Sequence, residues 1–348
     1  SSRRRHTRYI SVTGVQTCAL PISDAAALAS HYIAFPEPAY GVSLGSNPEY
    51  GTSLLRFTYS SLVTPDSVFD YDVLTRERTL LKRDEVLGGY DPTRYKVERL
   101  SAPAADGTAV PISLVYREPL ARDGSRPLLL YAYGSYGYTM EPTFSSTRFS
   151  LIDRGFIYAI AHVRGGQEMG RAWYDAGKMH QKVNTFHDFI DVADHLVRER
   201  YTAPRFLAAN GGSAGGLLMG AIANLRPELF RAIVADVPFV DVLNTMLDDS
   251  LPLTSQEWEQ WGNPNQPADY AYIKSYAPYE NVEAKAYPRI LATSGVNDSR
   301  VPFWEPTKWV ARLRALKTDT NPLLLKMNMG AGHGGSTGRY EQIGRAHV

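Results

Sequence analysis

Gly211-Gly212-Ser213-Ala214-Gly215-Gly216 follows a short apolar run over 206–209 and precedes a pattern in which Leu217, Leu218, Ala221 and Leu225 share one helical face. This is G-x-S-x-G between a strand and a helix, the arrangement of a nucleophile elbow. A chain that reverses so sharply leaves no room for side chains beside the turn, so glycine flanks the serine. The serine is lifted to the helix N-terminus, where the helix dipole favours developing negative charge. Without its flanks the stretch would read as a glycine-rich loop or a phosphate cradle; the strand before it and the helix after it favour a nucleophile.

A serine hydroxyl is a weak nucleophile until a base takes its proton. Asp298 follows an apolar run over 290–294, and His333 follows another over 323–327, within Gly330-Ala331-Gly332-His333-Gly334-Gly335. Taken singly, Asp298 reads as a solvated loop acid and His333 as a surface histidine. Beyond the C-terminal ends of successive strands, in the order Ser, Asp, His, they read as a triad. His162, His180, His187 and His195 show no ligand spacing with acids or thiols, so they are assigned structural roles and no metal or cofactor is expected.

Outward from the elbow, buried-strand runs at 128–133, 157–163, 206–209, 233–236, 290–294 and 323–327 alternate with helical patterns. In one of these, Thr185 and Asp188 read as a capping box ahead of a face made by Phe186, Phe189, Ile190, Ala193 and Val197. Such alternation predicts an α/β fold, a mainly parallel sheet with helices on both faces. Upstream, 54–61, 68–73 and 79–82 read as antiparallel strands. They resemble part of one propeller blade, but no second copy of the pattern occurs.

The 348 residues suggest about two domains. A balance of 37 basic against 36 acidic residues gives +1, no electrostatic footprint for nucleic acid or an acidic membrane. No run approaches the roughly 18 apolar residues of a membrane span, so the expected partner is a small molecule or peptide. The ends read differently. Apart from the frame ends, codons for 17–22 and 343–348 can be written as reverse complements of each other, and both resemble translated sequencing adapter, as does 2–8. We therefore read 1–22 and 343–348 as adapter; a basic arm built on Arg3, Arg4, Arg5 and Arg8 would leave the other end unexplained. Without Arg3, Arg4, Arg5, Arg8 and Arg345 the balance is 32 against 36, and Cys18, the one cysteine, is lost too.

Six segments carry a family likeness: Tyr131-Ala132-Tyr133-Gly134-Ser135-Tyr136-Gly137, His162-Val163-Arg164-Gly165-Gly166, the elbow, Trp261-Gly262-Asn263-Pro264, Asp298-Ser299-Arg300-Val301 and Gly332-His333-Gly334-Gly335. In this order they resemble the prolyl oligopeptidase family, and within it the oligopeptidase B branch. The resemblance implies an α/β-hydrolase catalytic domain over 91–342, cut short at its C-terminal end. It makes 23–90 the linker and remnant of an N-terminal β-propeller whose other blades are missing partners of this chain. It implies a cytoplasmic serine peptidase acting on short peptides after Arg or Lys. The oxyanion hole would be the Ala214 N–H and the Tyr133 hydroxyl, and Tyr136 would line the substrate pocket. Glu257 and Glu259 match paired glutamates that read the basic side chain. Glu141 matches one of two acids that read the preceding residue, while Thr143 stands where the second would be. Arg300 matches an arginine with which prolyl-specific relatives hold the peptide backbone. Prolyl specificity, an esterase or acylaminoacyl hydrolase, and an inactive fragment stay open as alternatives.

Overall fold

The computed structural model describes residues 21–24 and 29–335. Of the adapter-like stretches 1–22 and 343–348, all but Pro21 and Ile22 lie outside the described residues. Strand β1 (Pro21–Asp24) pairs antiparallel with β2 (Ala29–Tyr32). Next, β3 (Tyr40–Leu44), β4 (Leu54–Ser61), β5 (Ser67–Asp72) and β6 (Arg78–Arg83) form a four-stranded antiparallel sheet in sequential order. The three expected strands are present, and β3 is an addition: only Tyr40, Gly41 and Val42 of its five residues are even partly covered, too few for an alternating pattern to show. Phe57, Tyr59 and Tyr71 bury one side of this sheet with Val42 and Leu55. A second cluster, including Leu62, Val63, Tyr95, Val97 and Phe149, joins it to the larger unit.

That unit opens with a long hairpin of β7 (Tyr95–Pro103) and β8 (Ala109–Arg117). There follow β9 (Leu128–Tyr131), α1 (Phe149–Ile152), β10 (Ile157–Ala161), α2 (Arg171–Asp175), α3 (Val183–Arg198), β11 (Leu207–Gly212), α4 (Ala214–Leu225) and β12 (Ala232–Asp236). The described part ends with α5 (Val242–Leu247), α6 (Thr254–Trp261), α7 (Pro267–Tyr276), β13 (Arg289–Gly295), α8 (Trp304–Leu316) and β14 (Leu323–Asn328). The eight-stranded sheet runs β14-β13-β12-β11-β9-β10-β8-β7. Its first six strands are parallel and the β8–β7 edge antiparallel, which matches the expected α/β-hydrolase architecture. The core is one continuous cluster in which Leu128, Leu130, Ala209, Ile233 and Ala292 of the sheet meet Phe186, Phe189, Leu217 and Trp309 of the helices.

The capping box is corrected. Helix α3 starts at Val183 behind Lys182, so Thr185 stands inside the first turn instead of capping it. Its hydroxyl donates to the Arg164 carbonyl at 2.7 Å, and Asp188 accepts the Arg164 guanidinium at 2.5 Å. Asp188 is drawn away from the helix end because leaving the buried guanidinium unpaired would cost several kcal/mol, more than the roughly 1 kcal/mol of a cap, while Thr185 satisfies the buried Arg164 carbonyl.

Candidate active site

Register carries the site. Tyr131 pairs with Asn210, Gly212 with Asp236, Asp236 with Thr293, and Gly295 with Asn328, so five parallel strands end along one edge. Asp236 ties three of those ends together. Its carbonyl accepts the Ser213 N–H at 2.8 Å, and its carboxylate accepts Thr293 Oγ1 at 2.6 Å and Asn210 Nδ2 at 3.1 Å. Tyr133, Ser213, Asp298 and His333 all lie just beyond this edge.

Ser213 sits at φ 57°, ψ −118°, in the left-handed half of backbone space where few non-glycine residues are found. The strain is held by close backbone approach on both sides. A Cβ on Gly211 would lie 2.4 Å from the Gly215 carbonyl oxygen, and one on Gly216 would lie 2.4 Å from Pro238 Cα. Ala214 opens α4, so its N–H has no acceptor within the helix. The Tyr133 phenol has its pKa raised by burial, partly offset by a hydrogen bond with Ser213 and by the charge of Arg300.

Asp298 is buried, and its two oxygens divide their work. Oδ1 accepts the backbone N–H groups of Arg300 and Val301, each at 2.9 Å, while Oδ2 meets His333 Nδ1 at 2.8 Å. Burial pushes the Asp298 pKa up, but these bonds outweigh it and hold it below the usual carboxylate range.

In front of Ser213 opens a cavity of about 440 Å³, walled by Tyr133, Tyr136, Phe239, Met246, Leu253, Glu257, Arg300 and Val301. Glu257 Oε2 accepts both the Tyr136 hydroxyl and the Trp261 indole N–H, each at 2.8 Å. The Tyr136 pKa is pushed well up by burial of its hydroxyl and by the Glu257 carboxylate. Glu259 is not among the cavity's lining residues: it follows Glu257 by two positions on α6 and is exposed. Residues two apart on a helix point to different sides, so this helix offers the cavity one acid. Glu141 stands at the junction with the small sheet, where a Cβ on Gly41 would come within 3.0 Å of its Oε2. Burial raises its pKa. The expected residues thus separate into Ser213, Ala214, Tyr133, Tyr136, Glu257 and Arg300 around the cavity, an Asp298–His333 pair beside it, and Glu259 and Glu141 away from its lining. The apolar wall of Phe239, Met246, Leu253 and Val301 carries no signal of its own in the sequence, because apolar residues this far apart along the chain look alike whether they line a core or a cavity.

Residues 142–348 match the model of the prolyl oligopeptidase family, and 13–84 match that of the prolyl oligopeptidase N-terminal β-propeller domain. The chain is 54% identical over 314 residues to dipeptidyl aminopeptidase BI of Pseudoxanthomonas mexicana, covering 90% of this chain and 43% of that protein. It is 50% identical to protease 2 of Moraxella lacunata, covering 90% and 46%. It spans less than half the length of these curated relatives. Oligopeptidase B from Leishmania major superposes with a TM-score of 0.88 at 46% identity, over 96% of this chain and 47% of that one. Oligopeptidase B from Trypanosoma brucei, with covalently bound antipain in a closed form, gives 0.87 at 42% identity, over 100% and 52%.

Proposed function

The chain belongs to the prolyl oligopeptidase family, and from that premise we propose that it carries the catalytic machinery of a serine oligopeptidase cleaving short peptides after Arg or Lys. The observation that carries the specificity is Glu257: a carboxylate on the wall of the cavity that also holds Ser213. A guanidinium or ammonium entering that cavity loses water and must meet a counter-charge. The Glu257 carboxylate supplies one, and its Oε2 is already fixed by Tyr136 and Trp261.

In this reading Ser213 Oγ attacks the scissile carbonyl while His333 Nε2 takes its proton. Asp298 holds the proton on Nδ1 and stabilises the imidazolium. The oxyanion is received by the Ala214 N–H and the Tyr133 hydroxyl, and removing one such donor typically costs about 3 kcal/mol of transition-state stabilisation. His333 then protonates the leaving amine, and water, activated by the same imidazole, hydrolyses the acyl-enzyme. Glu259 and Glu141 would act outside the cavity, on charged groups of the substrate farther from the scissile bond. Arg300, exposed on the cavity wall, supports a second reading in which it binds peptide carbonyls and the enzyme prefers proline.

Initial rates on matched short substrates ending in Arg, Pro or a simple ester, with Ser213→Ala alongside, separate these readings. Serine-dependent preference for Arg is expected. Equal turnover of all three would remove the basic specificity, and full activity in Ser213→Ala would remove the triad.

A further inference from the structure

Lys182 is 1% exposed, and lysine seldom buries so completely. Its three N–H donors meet three neutral oxygens: the Gly134 carbonyl at 2.5 Å, Ser135 Oγ at 2.8 Å and Thr185 Oγ1 at 3.2 Å. The Trp261 ring covers it at 5.3 Å. Burial lowers its pKa to about 7, a cost that methionine, of similar length, would fill the space without. Methionine could make none of the three hydrogen bonds, so the amino group does more than pack.

The two loop residues it grips lie between Tyr133 and Tyr136. That loop is unusual in its backbone: Gly134, Tyr136 and Gly137 all have positive φ, at 71°, 60° and 64°. Tyr136 pays for this conformation as a residue with a Cβ, so the loop persists only if its surroundings over-determine it. Gly137 N–H donates to the Gly165 carbonyl at 2.9 Å and Tyr138 N–H to the Ser135 carbonyl at 3.0 Å, which hold the far end. At the near end Lys182 grips Gly134 and Ser135. The same ammonium lies against Trp261, whose N–H fixes Glu257 and whose ring meets Tyr136 edge-on at 5.8 Å.

We propose that Lys182 is a positioning residue: its buried ammonium clamps the 133–137 loop so that the Tyr133 hydroxyl faces Ser213 and the Tyr136 hydroxyl faces Glu257. The proposal deepens the reading given above and rests on Tyr133 as an oxyanion donor.

The test combines Lys182→Met, Tyr133→Phe and the double variant in the full chain, with two readouts. One is the rate at which a fluorophosphonate modifies Ser213; the other is native-state hydrogen exchange of the peptide over 133–138. If the clamp acts through Tyr133, Lys182→Met slows modification about 10-fold or more, and the double variant is little slower than Tyr133→Phe alone, a non-additivity that general destabilisation would not produce. Exchange should quicken at 133–138 and stay unchanged in the sheet. Additive losses, or unchanged exchange at 133–138, would overturn the proposal. If Tyr133→Phe costs nothing, the oxyanion reading fails, and the exchange result alone decides the clamp. Should Lys182→Met not fold, Ser135→Ala removes one contact and keeps the ammonium. It should raise exchange at 133–138 by a smaller factor, and no change there would refute the clamp.

Discussion

Asp298→Asn is the most discriminating substitution, because the structure dictates which way the new amide must point. Two backbone N–H groups, of Arg300 and Val301, aim at Oδ1 from 2.9 Å, so that position must remain an oxygen. Turning the amide over would set an NH₂ against two N–H donors, forfeiting two hydrogen bonds at roughly 1 kcal/mol each plus desolvation penalties of about 1–3 kcal/mol. The amide nitrogen therefore faces His333 Nδ1, where Oδ2 now sits at 2.8 Å. Nδ1 must then accept, the imidazole proton moves to Nε2, and Nε2 can no longer take the proton of Ser213. A wrong tautomer in an otherwise intact triad costs roughly 10⁴-fold, which at about 1.4 kcal/mol per tenfold is near 5.5 kcal/mol. The assay is kcat/KM on an arginyl peptide, with thermal melting alongside. Near neutral pH the variant should melt somewhat lower than the parent: the oxygen that meets the two amides is kept, but the charge that strengthens those bonds and the one to His333 is lost. A loss smaller than about tenfold would refute the tautomer argument and with it the role of Asp298. The stability side has its own sign. The Asp298 pKa is lowered in the fold, so its contribution is present above the ordinary carboxylate value and is lost as pH falls through the folded value. The melting temperature of Asp298→Asn relative to the parent should therefore rise as pH drops below about 4.

Glu257→Gln should cut kcat/KM for arginyl substrates by about 100-fold or more while sparing a neutral ester, because a buried guanidinium loses its counter-charge. Glu259→Gln, exposed on the other side of α6, should change the same ratio by less than about threefold, and equal losses in the two variants would contradict the one-acid cavity. Gly211→Ala places a Cβ 2.4 Å from a backbone oxygen, an overlap that no side-chain rotation relieves. Chemical denaturation should show destabilisation of at least about 1–3 kcal/mol together with loss of serine reactivity. Glu305, fully buried in the first turn of α8, has its pKa raised to about 8 by burial, against hydrogen bonds from Thr245 and the Asp241 N–H. With the folded pKa above the unfolded one, the folded state binds the extra proton, so stability falls as pH rises from about 4.5 to about 8. Glu305→Gln, which mimics the protonated acid, should melt progressively higher than the parent across that window. A gap independent of pH would show that Glu305 does not titrate there.

Most of the sheet was legible because its parallel strands are short apolar runs bounded by polar or glycine residues, as strands inside a helix-covered sheet tend to be. The β7–β8 hairpin escaped notice: seven of the nine residues of β8 are buried in unbroken succession, so alternation, the usual mark of an antiparallel strand, is missing. Ser213, Asp298 and His333 could be picked out because each requirement is local. Glycines permit one sharp turn, and the other two residues fall just after strand ends whose register brings them to the same edge.

What the sequence by itself determined, then, was the α/β alternation, the glycine-flanked turn at Ser213 and the placing of Asp298 and His333 just after strand ends, all consequences of backbone geometry within a few residues of the chain. Tertiary structure alone decided that Glu257 enters the cavity while Glu259 does not, since that depends on how α6 is rotated against Tyr136 and Trp261. It likewise turned Thr185 and Asp188 from a helix cap into partners of Arg164, and gave Lys182 three neutral acceptors in place of solvent. A side chain's charge is written in the sequence; the desolvation and partners that give it a role are set by residues distant along the chain, and they exist only once the fold has closed around it.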